Sequence, residues 1–203
     1  MPDSVDFIVR FMFFAAVHSL LAAPAVKLHL QKLMNSALPG YRLMYNLVSL
    51  VLFGWVMLAW QATTVIYLVP GIWSLIFHGL QVLVLLAVFL CVRQTGMAAF
   101  LGVDLGREEA SPRLQISGWY RIVRHPLYLL GMLFCLLNPV MTSRWLVLTL
   151  LSAGYFLVGA VLEERRLLRT FGYAYHAYQK QVPFLIPRPW RTVRTDHPET
   201  TSD

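Results

Sequence analysis

The chain has few charged residues. Asp, Glu, Lys and Arg together make up 13% of its 203 residues, and 58% of the residues are hydrophobic. A typical soluble domain has about 25% charged residues, and several apolar runs here are longer than those of a globular core. The composition therefore excludes an ordinary soluble domain and predicts an integral membrane protein that forms one compact helical bundle.

Cysteine is also scarce. The two cysteines, Cys91 and Cys135, both lie in apolar runs and form no CxxC pair. This spacing argues against a disulfide framework and against a cysteine-based metal site. We therefore predict two reduced packing residues and no metal site.

The 10 acidic residues are fewer than the 17 Lys and Arg residues, and the formal net charge is +7. In a soluble protein such an excess can indicate nucleic-acid binding. Here the basic residues lie beside apolar runs, which is typical of the cytoplasmic loops of membrane proteins. We therefore predict contact with membrane lipids and no nucleic-acid partner.

Five apolar runs predict an all-α, polytopic bundle of about five transmembrane helices. The first run lacks the order of a cleaved signal peptide, so we expect it to be retained. The fourth is shorter than the roughly 20 residues that a full crossing needs. We expect the last two runs to form a C-terminal helical hairpin that starts at Pro126 and continues into the charged sequence EERRLLRTFG. The runs are residues 5–26, 43–62, 72–92, 127–140 and 145–162.

These runs divide the chain into three regions. Residues 1–92 form a three-helix N-terminal membrane region, and residues 93–191 hold a long loop, the hairpin and the C-terminal motifs. Residues 192–203 form a polar tail that we expect to be disordered. Glycine and proline punctuate the loop over 93–124. We expect this loop to be irregular, or to hold one short helix, and to cover a cofactor.

The basic residues also predict the orientation. With five crossings and the N-terminus outside, fifteen of the seventeen Lys and Arg residues lie in the two inner loops and the C-terminal tail, and only Arg10 and Arg144 do not. Positive charge marks the cytoplasmic side. We therefore predict a bacterial inner-membrane protein with a periplasmic N-terminus, a cytoplasmic C-terminus and a cytoplasmic cofactor pocket.

Two of the apolar runs contain histidine. His18 is followed by Ser19 in the first run, and His78 lies one helical turn before Gln81 in the third. An ionisable group inside a span is costly unless it faces protein or water. Each histidine either bonds to a neighbouring helix or belongs to a polar site, and for both the sequence favours the hydrogen-bonding role.

Two polar clusters stand at opposite ends of the predicted hairpin. Arg121, Arg124 and His125 precede it, and Glu163 and Glu164 follow it, so a hairpin brings them to the same side. Snorkelling at the membrane surface explains arginines at span ends. It does not explain two carboxylates directly after a long apolar run, because these are costly without partners. The pattern favours a functional site.

The residues around these clusters resemble a known family. The patterns RxxRHPxYxxG and EERxLxxxFGxxYxxYxxxVPxxIP, within residues 118–187, are similar to those of isoprenylcysteine carboxyl methyltransferases and their bacterial membrane relatives. The upstream segments VHSLLAAPAVK and YRLMYNLVSL are more loosely similar to NnrU-type and methanethiol S-methyltransferase-type proteins. The residues that carry the main pattern are Arg121, Arg124, His125, Pro126, Tyr128, Gly131, Glu163, Glu164, Leu168, Phe171, Gly172, Tyr175, Tyr178, Val182 and Pro183.

The resemblance implies a methyltransferase that binds S-adenosylmethionine on the cytoplasmic side, releases S-adenosylhomocysteine and admits an apolar acceptor from the lipid. Arg124 and His125 would then hold the cofactor carboxylate, aided by the helix start at Pro126. Glu163 and Glu164 are the predicted catalytic residues, and Glu164 is also predicted to bind the cofactor. Either carboxylate can balance the sulfonium charge or bind the ribose hydroxyls.

Four further residues complete the cofactor-binding set implied by the resemblance. The rings of Tyr128, Tyr175 and Tyr178 would stack on adenine or face the sulfonium through cation–π contacts. Gly131 belongs to the same motif.

One departure from the family bears on the acceptor. Prenylcysteine carboxyl methyltransferases carry an arginine about one turn before the glutamates, whereas residues 158–161 here read VGAV. This argues against a carboxylate-bearing acceptor and favours a lipophilic or small thiol acceptor, which needs a base. Glu163, Glu164 and His18 are the candidates. The alternative function is a non-catalytic membrane accessory protein of the NnrU type.

Overall fold

The computed structural model describes residues 2–34, 40–59, 63–103 and 113–188. Within these ranges the chain is mostly helical. The helices are α1 (Pro2–Ala22), α2 (Pro24–Met34), α3 (Tyr41–Met57), α4 (Ile72–Thr95), α5 (Met97–Leu101), α6 (Pro126–Leu136), α7 (Ser143–Phe171) and α8 (Tyr173–Gln181), with a 3₁₀ helix at Gly118–Arg121 and two strands, β1 (Val65–Leu68) and β2 (Val140–Thr142).

Three of the described helices are long and apolar enough to cross a membrane: Asp3–Ala22, Ile72–Thr95 and Ser143–Phe171. Helices α3 and α6 are apolar but shorter, so the five crossings stay a prediction. The predicted first run to residue 26 is too long. Helix α1 ends at Ala22, because Pro24 begins a new helix and proline cannot continue the previous one.

A two-stranded antiparallel sheet corrects the purely all-α prediction. Strand β1 pairs with β2, with Leu68 opposite Val140 and Val65 opposite Thr142. The predicted helix over 127–140 ends at Leu136, because Pro139 cannot continue it. Pairing two strands satisfies backbone groups that an apolar environment leaves without water.

The helices form two packed groups. Helix α1 lies against α3, whereas α6 lies between α4 and α7, and α1 makes only a few contacts with α7. A core of α1, α3 and α7 side chains joins the groups, and includes Phe7, Phe11, Val56 and Leu148. The predicted hairpin is present as α6 and α7, and α7 continues into the charged segment as expected.

Arg10 and Arg144, the two basic residues that the predicted orientation places on the outer side, both bond to the last turn of helix α3. Arg10 donates from Nη1 to the carbonyl oxygen of Trp55 at 3.2 Å, and Arg144 donates from Nη1 to that of Met57 at 3.3 Å. The last carbonyl groups of a helix have no partner within it, and cationic side chains satisfy them well. A structural role thus accounts for the position of both arginines.

The described parts of the long loop are held by neighbouring helices. Asn46 donates to the carbonyl oxygens of Phe100 and Leu101, at the end of α5. Gln94 donates to the carbonyl oxygen of Ser117 at 2.7 Å. The single short helix expected in this loop corresponds to α5, which the 3₁₀ helix follows. Residues 104–112, the end of the predicted second run at 60–62, and the tail predicted over 192–203 lie outside the described residues.

Candidate functional site

The site forms where α6 begins and where α7 leaves its apolar stretch. Pro126 occupies the first turn of α6, a position that suits proline because the first N–H groups of a helix have no helical partner. Helix α7 runs on to Phe171, so its glutamates reach the residues that precede α6. The two polar clusters meet, as the hairpin predicted.

Both carboxylate oxygens of Glu164 are bound by side chains of this chain. Oε1 accepts from Arg124 Nε at 2.5 Å and from His125 Nε2 at 3.2 Å. Oε2 accepts from Gln179 Nε2 at 2.9 Å. The Arg124 and Glu164 side chains are 12% and 14% exposed, so this ion pair is largely withdrawn from solvent.

Arg124 also binds the C-terminal segment. Its Nη1 donates to the carbonyl oxygens of Gln179 at 3.0 Å and Val182 at 2.7 Å, and its backbone N–H donates to Pro183 at 2.9 Å. One guanidinium thereby joins α7, α8 and the segment after α8. Its first task in this arrangement is to position these elements.

His125 lies between the two glutamates and is 4% exposed. Its Nδ1 is 3.8 Å from Glu163 Oε2, its ring stacks on Tyr128 with centroids 5.6 Å apart, and the Phe184 ring meets it edge-on at 4.9 Å. Burial lowers the pKa of His125 below its ordinary value, although Glu163 and Glu164 oppose this. With a proton on Nε2, the ring donates to Glu164.

Glu163 has a different environment from Glu164. Its side chain is 36% exposed, and Oε2 accepts from the Tyr128 hydroxyl at 3.1 Å. Two adjacent carboxylates with unlike environments are suited to different tasks. Glu163 is the more exposed of the two carboxylates, and Glu164 joins α7 to Arg124, His125 and Gln179.

The two tyrosines of α8 lie in a small core rather than on an open surface. Tyr178 donates to the carbonyl oxygen of Tyr120 at 2.6 Å. Tyr175 is 1% exposed, and its hydroxyl interacts with Glu164. Burial raises the pKa of both hydroxyls. Gly172, with φ at +53°, makes the turn that places α8 here. Stacking of these rings on a ligand stays a prediction.

Gly131 serves the packing of α6 on α7. A Cβ atom at this position would lie 3.0 Å from Cε2 of Phe156, and Phe156 in turn stacks on Tyr128 at 5.6 Å. The glycine therefore lets the two helices approach closely behind Tyr128. Its assignment to the cofactor stays a prediction.

A groove of about 790 Å³ opens beside the cluster, between α6, α7 and the segment that follows α8. Arg124 lies on its wall, which connects the groove to the polar cluster. Most other walls are apolar, and the remaining polar lining comes from the C-terminal part of the chain. The lining includes Leu129, Met132, Leu157, Gln179, Lys180, Phe184, Ile186 and Arg188.

The two histidines inside the apolar runs bond to nearby side chains. His18 Nδ1 lies 2.7 Å from Ser49 Oγ on α3, and His78 Nδ1 lies 3.1 Å from Gln81 Oε1 on the same helix. The hydrogen bond expected between His18 and a neighbouring helix is present, and His78 bonds within its own helix. The structure places His18 outside the cluster of Arg124, His125 and the glutamates.

Sequence comparison identifies the family. The family model of the NnrU protein matches residues 6–193. The chain belongs to the NnrU family. Methanethiol S-methyltransferase 2 of Bradyrhizobium diazoefficiens is 33% identical over 199 residues, covering 90% of this chain and 73% of the relative. Methanethiol S-methyltransferase of a Pseudomonas species is 31% identical over 186 residues, covering 86% and 70%.

A shorter match has a higher sequence identity. Methanethiol S-methyltransferase of Pseudomonas deceptionensis is 44% identical over 68 residues, which is 34% of this chain and 26% of the relative. These relatives belong to the isoprenylcysteine methyltransferase-like membrane family, so the predicted resemblance is confirmed. No solved structure matches the chain significantly.

The motifs of this NnrU-family chain did not predict the residues that line the groove. Gln179, Lys180 and Phe184 lie at positions that the motif leaves variable, and Arg188 lies directly after it. One signal was available: Gln179 follows Tyr175 by four residues and so shares its helix face. That spacing places an amide beside the glutamates, where it donates to Glu164.

Proposed function

We propose that this NnrU-family protein is a membrane methyltransferase that uses S-adenosylmethionine. The observation that carries the proposal is the polar cluster that adjoins the groove through Arg124: Glu164 is bound by Arg124, His125 and Gln179, and the adjacent Glu163 is 36% exposed. Relatives named as methyltransferases, aligned over most of this chain, support the same class.

The residues present suit the cofactor. When bound, S-adenosylmethionine supplies a methyl group activated by a sulfonium. A groove of about 790 Å³ lies within the range of small-molecule sites, and its apolar walls suit a nucleoside. Lys180 and Arg188 contribute cations to the lining. Glu163 lies outside that lining and is a partly exposed carboxylate of the adjoining polar cluster.

These contacts change two roles that the family pattern implied. Arg124 and His125 were expected to hold the cofactor carboxylate, but both already bind Glu164. We assign the carboxylate chiefly to Lys180 and Arg188, and the sulfonium or the ribose to Glu163. Arg124, His125 and Glu164 then act by positioning, since preorganised geometry supplies much of the rate in transfer reactions.

The acceptor that fits best is a small, neutral thiol. The helical turn before the glutamates carries no charge: Ala160 is fully buried, and a Cβ on Gly159 would lie 3.5 Å from the Tyr128 hydroxyl. This turn offers no partner to an acceptor carboxylate. A small thiol requires none, and methanethiol is the acceptor in the names of the relatives.

The proposed orientation puts the cofactor site in the bacterial cytoplasm and the N-terminus in the periplasm. It is supported by the bias in basic residues and by the capping roles of Arg10 and Arg144, which explain the two exceptions. The groove then opens on the cytoplasmic side, where the soluble methyl donor is found.

The competing function is a non-catalytic accessory protein. One observation favours it: Arg124, Glu164 and Gln179 satisfy one another through hydrogen bonds within the chain. An assay of membranes that contain the protein separates the two functions. We expect transfer of labelled methyl from S-adenosylmethionine to ethanethiol, and loss of this transfer in Glu163→Gln. An inactive wild-type protein that binds neither the cofactor nor its product supports the accessory function instead.

A further inference from the structure

The groove beside Arg124 has two chemically different ends. The membrane-side end is formed by Leu129 and Met132 of α6 and by Leu157 of α7. The polar end carries the lining side chains that form hydrogen bonds or bear a charge, namely Arg124, Gln179, Lys180 and Arg188. One groove therefore offers charged partners at one end and an apolar wall at the other.

The membrane-side end lies within the apolar stretch of the hairpin. Leu157 precedes Glu164 by seven residues, so the two share one face of α7 and lie about 10 Å apart along the helix. Leu129 and Met132 are three residues apart and share one face of α6. Helix α7 is long and apolar enough to cross a membrane. This end of the groove therefore lies about two helical turns from the polar cluster, towards the lipid chains.

The membrane-side end is also open to the outside of the bundle. Leu157 is 45% exposed although it lines the groove, and Leu129 and Met132 are half-buried. An exposed apolar side chain on a membrane-crossing helix faces lipid. An apolar molecule dissolved in the bilayer can therefore enter the groove past Leu157 without crossing a charged surface.

The lining decides which part of a ligand each end can bind. A nucleoside brings donors and acceptors that need partners, and burying such groups without hydrogen bonds is costly. The side chains of Leu129 and Leu157 offer no hydrogen bond, and the thioether of Met132 is only a weak acceptor. These three side chains suit an alkyl chain, because each buried methylene group strengthens binding about fourfold. The nucleoside is then left to the polar end.

The sequence around the membrane-side end also restricts the charge of that chain. Residues 127–142 and 145–162 contain no Asp, Glu, Lys or Arg. A charged group on the far end of an acceptor would therefore lie beside Met132 and Leu157 without a partner, which is costly. The wall favours an uncharged chain.

We propose that the membrane-side end of the groove binds the alkyl chain of a thiol acceptor, and that the protein methylates alkyl thiols longer than the methanethiol of its relatives' names. This assignment rests on the proposed methyltransferase function. The thiol sulfur lies at the polar end and the chain runs past Met132 to Leu157. The sulfur gains the methyl group as the S–CH₃ bond of the donor breaks, and the thiol proton passes to water. Leu157, at the opening, determines specificity for chain length.

The test compares ethanethiol with 1-hexanethiol in Leu157→Trp. Only the longer chain extends to residue 157, so an indole there obstructs hexanethiol and leaves room for ethanethiol. We expect the wild type to methylate both thiols. In Leu157→Trp the ratio of kcat/KM for hexanethiol to that for ethanethiol should fall at least tenfold. Because both thiols are measured in the same membranes, their unequal partitioning into lipid cancels when the ratios of two variants are compared.

Two further variants complete the experiment. Val158→Trp is the matched control, because Val158 is the next residue on α7, is 59% exposed and lies outside the described lining of the groove. It should keep the wild-type ratio. Leu157→Asn places an amide at the opening without added bulk and should lower the ratio at least threefold. All three variants should bind S-adenosylhomocysteine as the wild type does, which shows that they fold.

The outcomes separate this assignment from the proposed function. An unchanged ratio in Leu157→Trp, an equal fall in Val158→Trp, or a wild type that methylates ethanethiol alone overturns the acceptor site and leaves the methyltransferase function standing. A folded wild type that is inactive with both thiols overturns the proposed function, and the acceptor site with it.

Discussion

Glu163 and Glu164 are adjacent in sequence, but their carboxylates do different work. Glu164 is held by three side chains from two parts of the chain, whereas the hydrogen bond that Glu163 accepts within the described residues comes from the Tyr128 hydroxyl. The sequence alone predicted that one polar cluster would contain both glutamates with Arg124 and His125. It could not divide their roles, because the division depends on Gln179, which reaches Glu164 only once α8 has folded back.

The Arg124–Glu164 pair gives the first prediction at this scale. Removing one partner of a buried ion pair leaves a charge without compensation, which costs about 3 kcal/mol or more. We therefore expect Glu164→Gln and Arg124→Met each to lower the unfolding temperature in detergent. The double variant should lose less stability than the sum of the losses in the two single variants. Additive losses would show that the pair does not couple the elements that it joins.

His125 gives a prediction for pH. Burial lowers its pKa in the folded protein, and the ordinary value of about 6.5 applies when it is unfolded. The unfolded state therefore binds the extra proton first. Stability should be greatest above pH about 6.5 and fall as the pH drops from there towards the lowered value. Melting scans should show a weaker acid dependence in His125→Asn, and an unchanged dependence would contradict this assignment.

At the scale of elements, the sequence predicted the hairpin of α6 and α7, but it did not predict the β1–β2 sheet or the break between α1 and α2. The apolar run, Pro126 and the charged sequence after residue 162 indicate α6 and a long α7. The pairing of β1 with β2 is a long-range contact that leaves no local pattern. The break between α1 and α2 was misread because hydropathy continues through Ala23, although Pro24 marks it.

The close contact between α6 and α7 can be tested at Gly131. A Cβ there would lie 3.0 Å from the Phe156 ring, whereas a Cβ on Gly79 of α4 would meet nothing within 4 Å. Overpacking costs about 1–3 kcal/mol. We expect Gly131→Val to lower the melting temperature and to weaken turnover by displacing Tyr128. Gly79→Val is the control. Equal melting temperatures in the two variants would argue against tight packing at this site.

At the scale of the whole molecule, charge predicts the orientation, and the helix caps explain its exceptions. Fifteen of the seventeen basic residues lie on the proposed inner side, and Arg10 and Arg144 bond to the end of α3. A fluorescent reporter fused to the C-terminus should therefore be bright, and alkaline phosphatase in the same position should be inactive. A dark fluorescent reporter and an active phosphatase would show that the C-terminus lies outside and that the proposed topology is wrong.

The central claim is that the groove beside Arg124 binds S-adenosylmethionine and that Glu163 is its open carboxylate. The most direct measurement is calorimetric titration of the detergent-purified protein with S-adenosylhomocysteine. We expect saturable binding that weakens at least tenfold in Glu163→Gln, a loss of about 1.4 kcal/mol or more. The melting temperature of this variant should stay near that of the wild type. Equal affinity in the two folded proteins would remove Glu163 from the site, and no binding by the folded wild type would contradict the account as a whole.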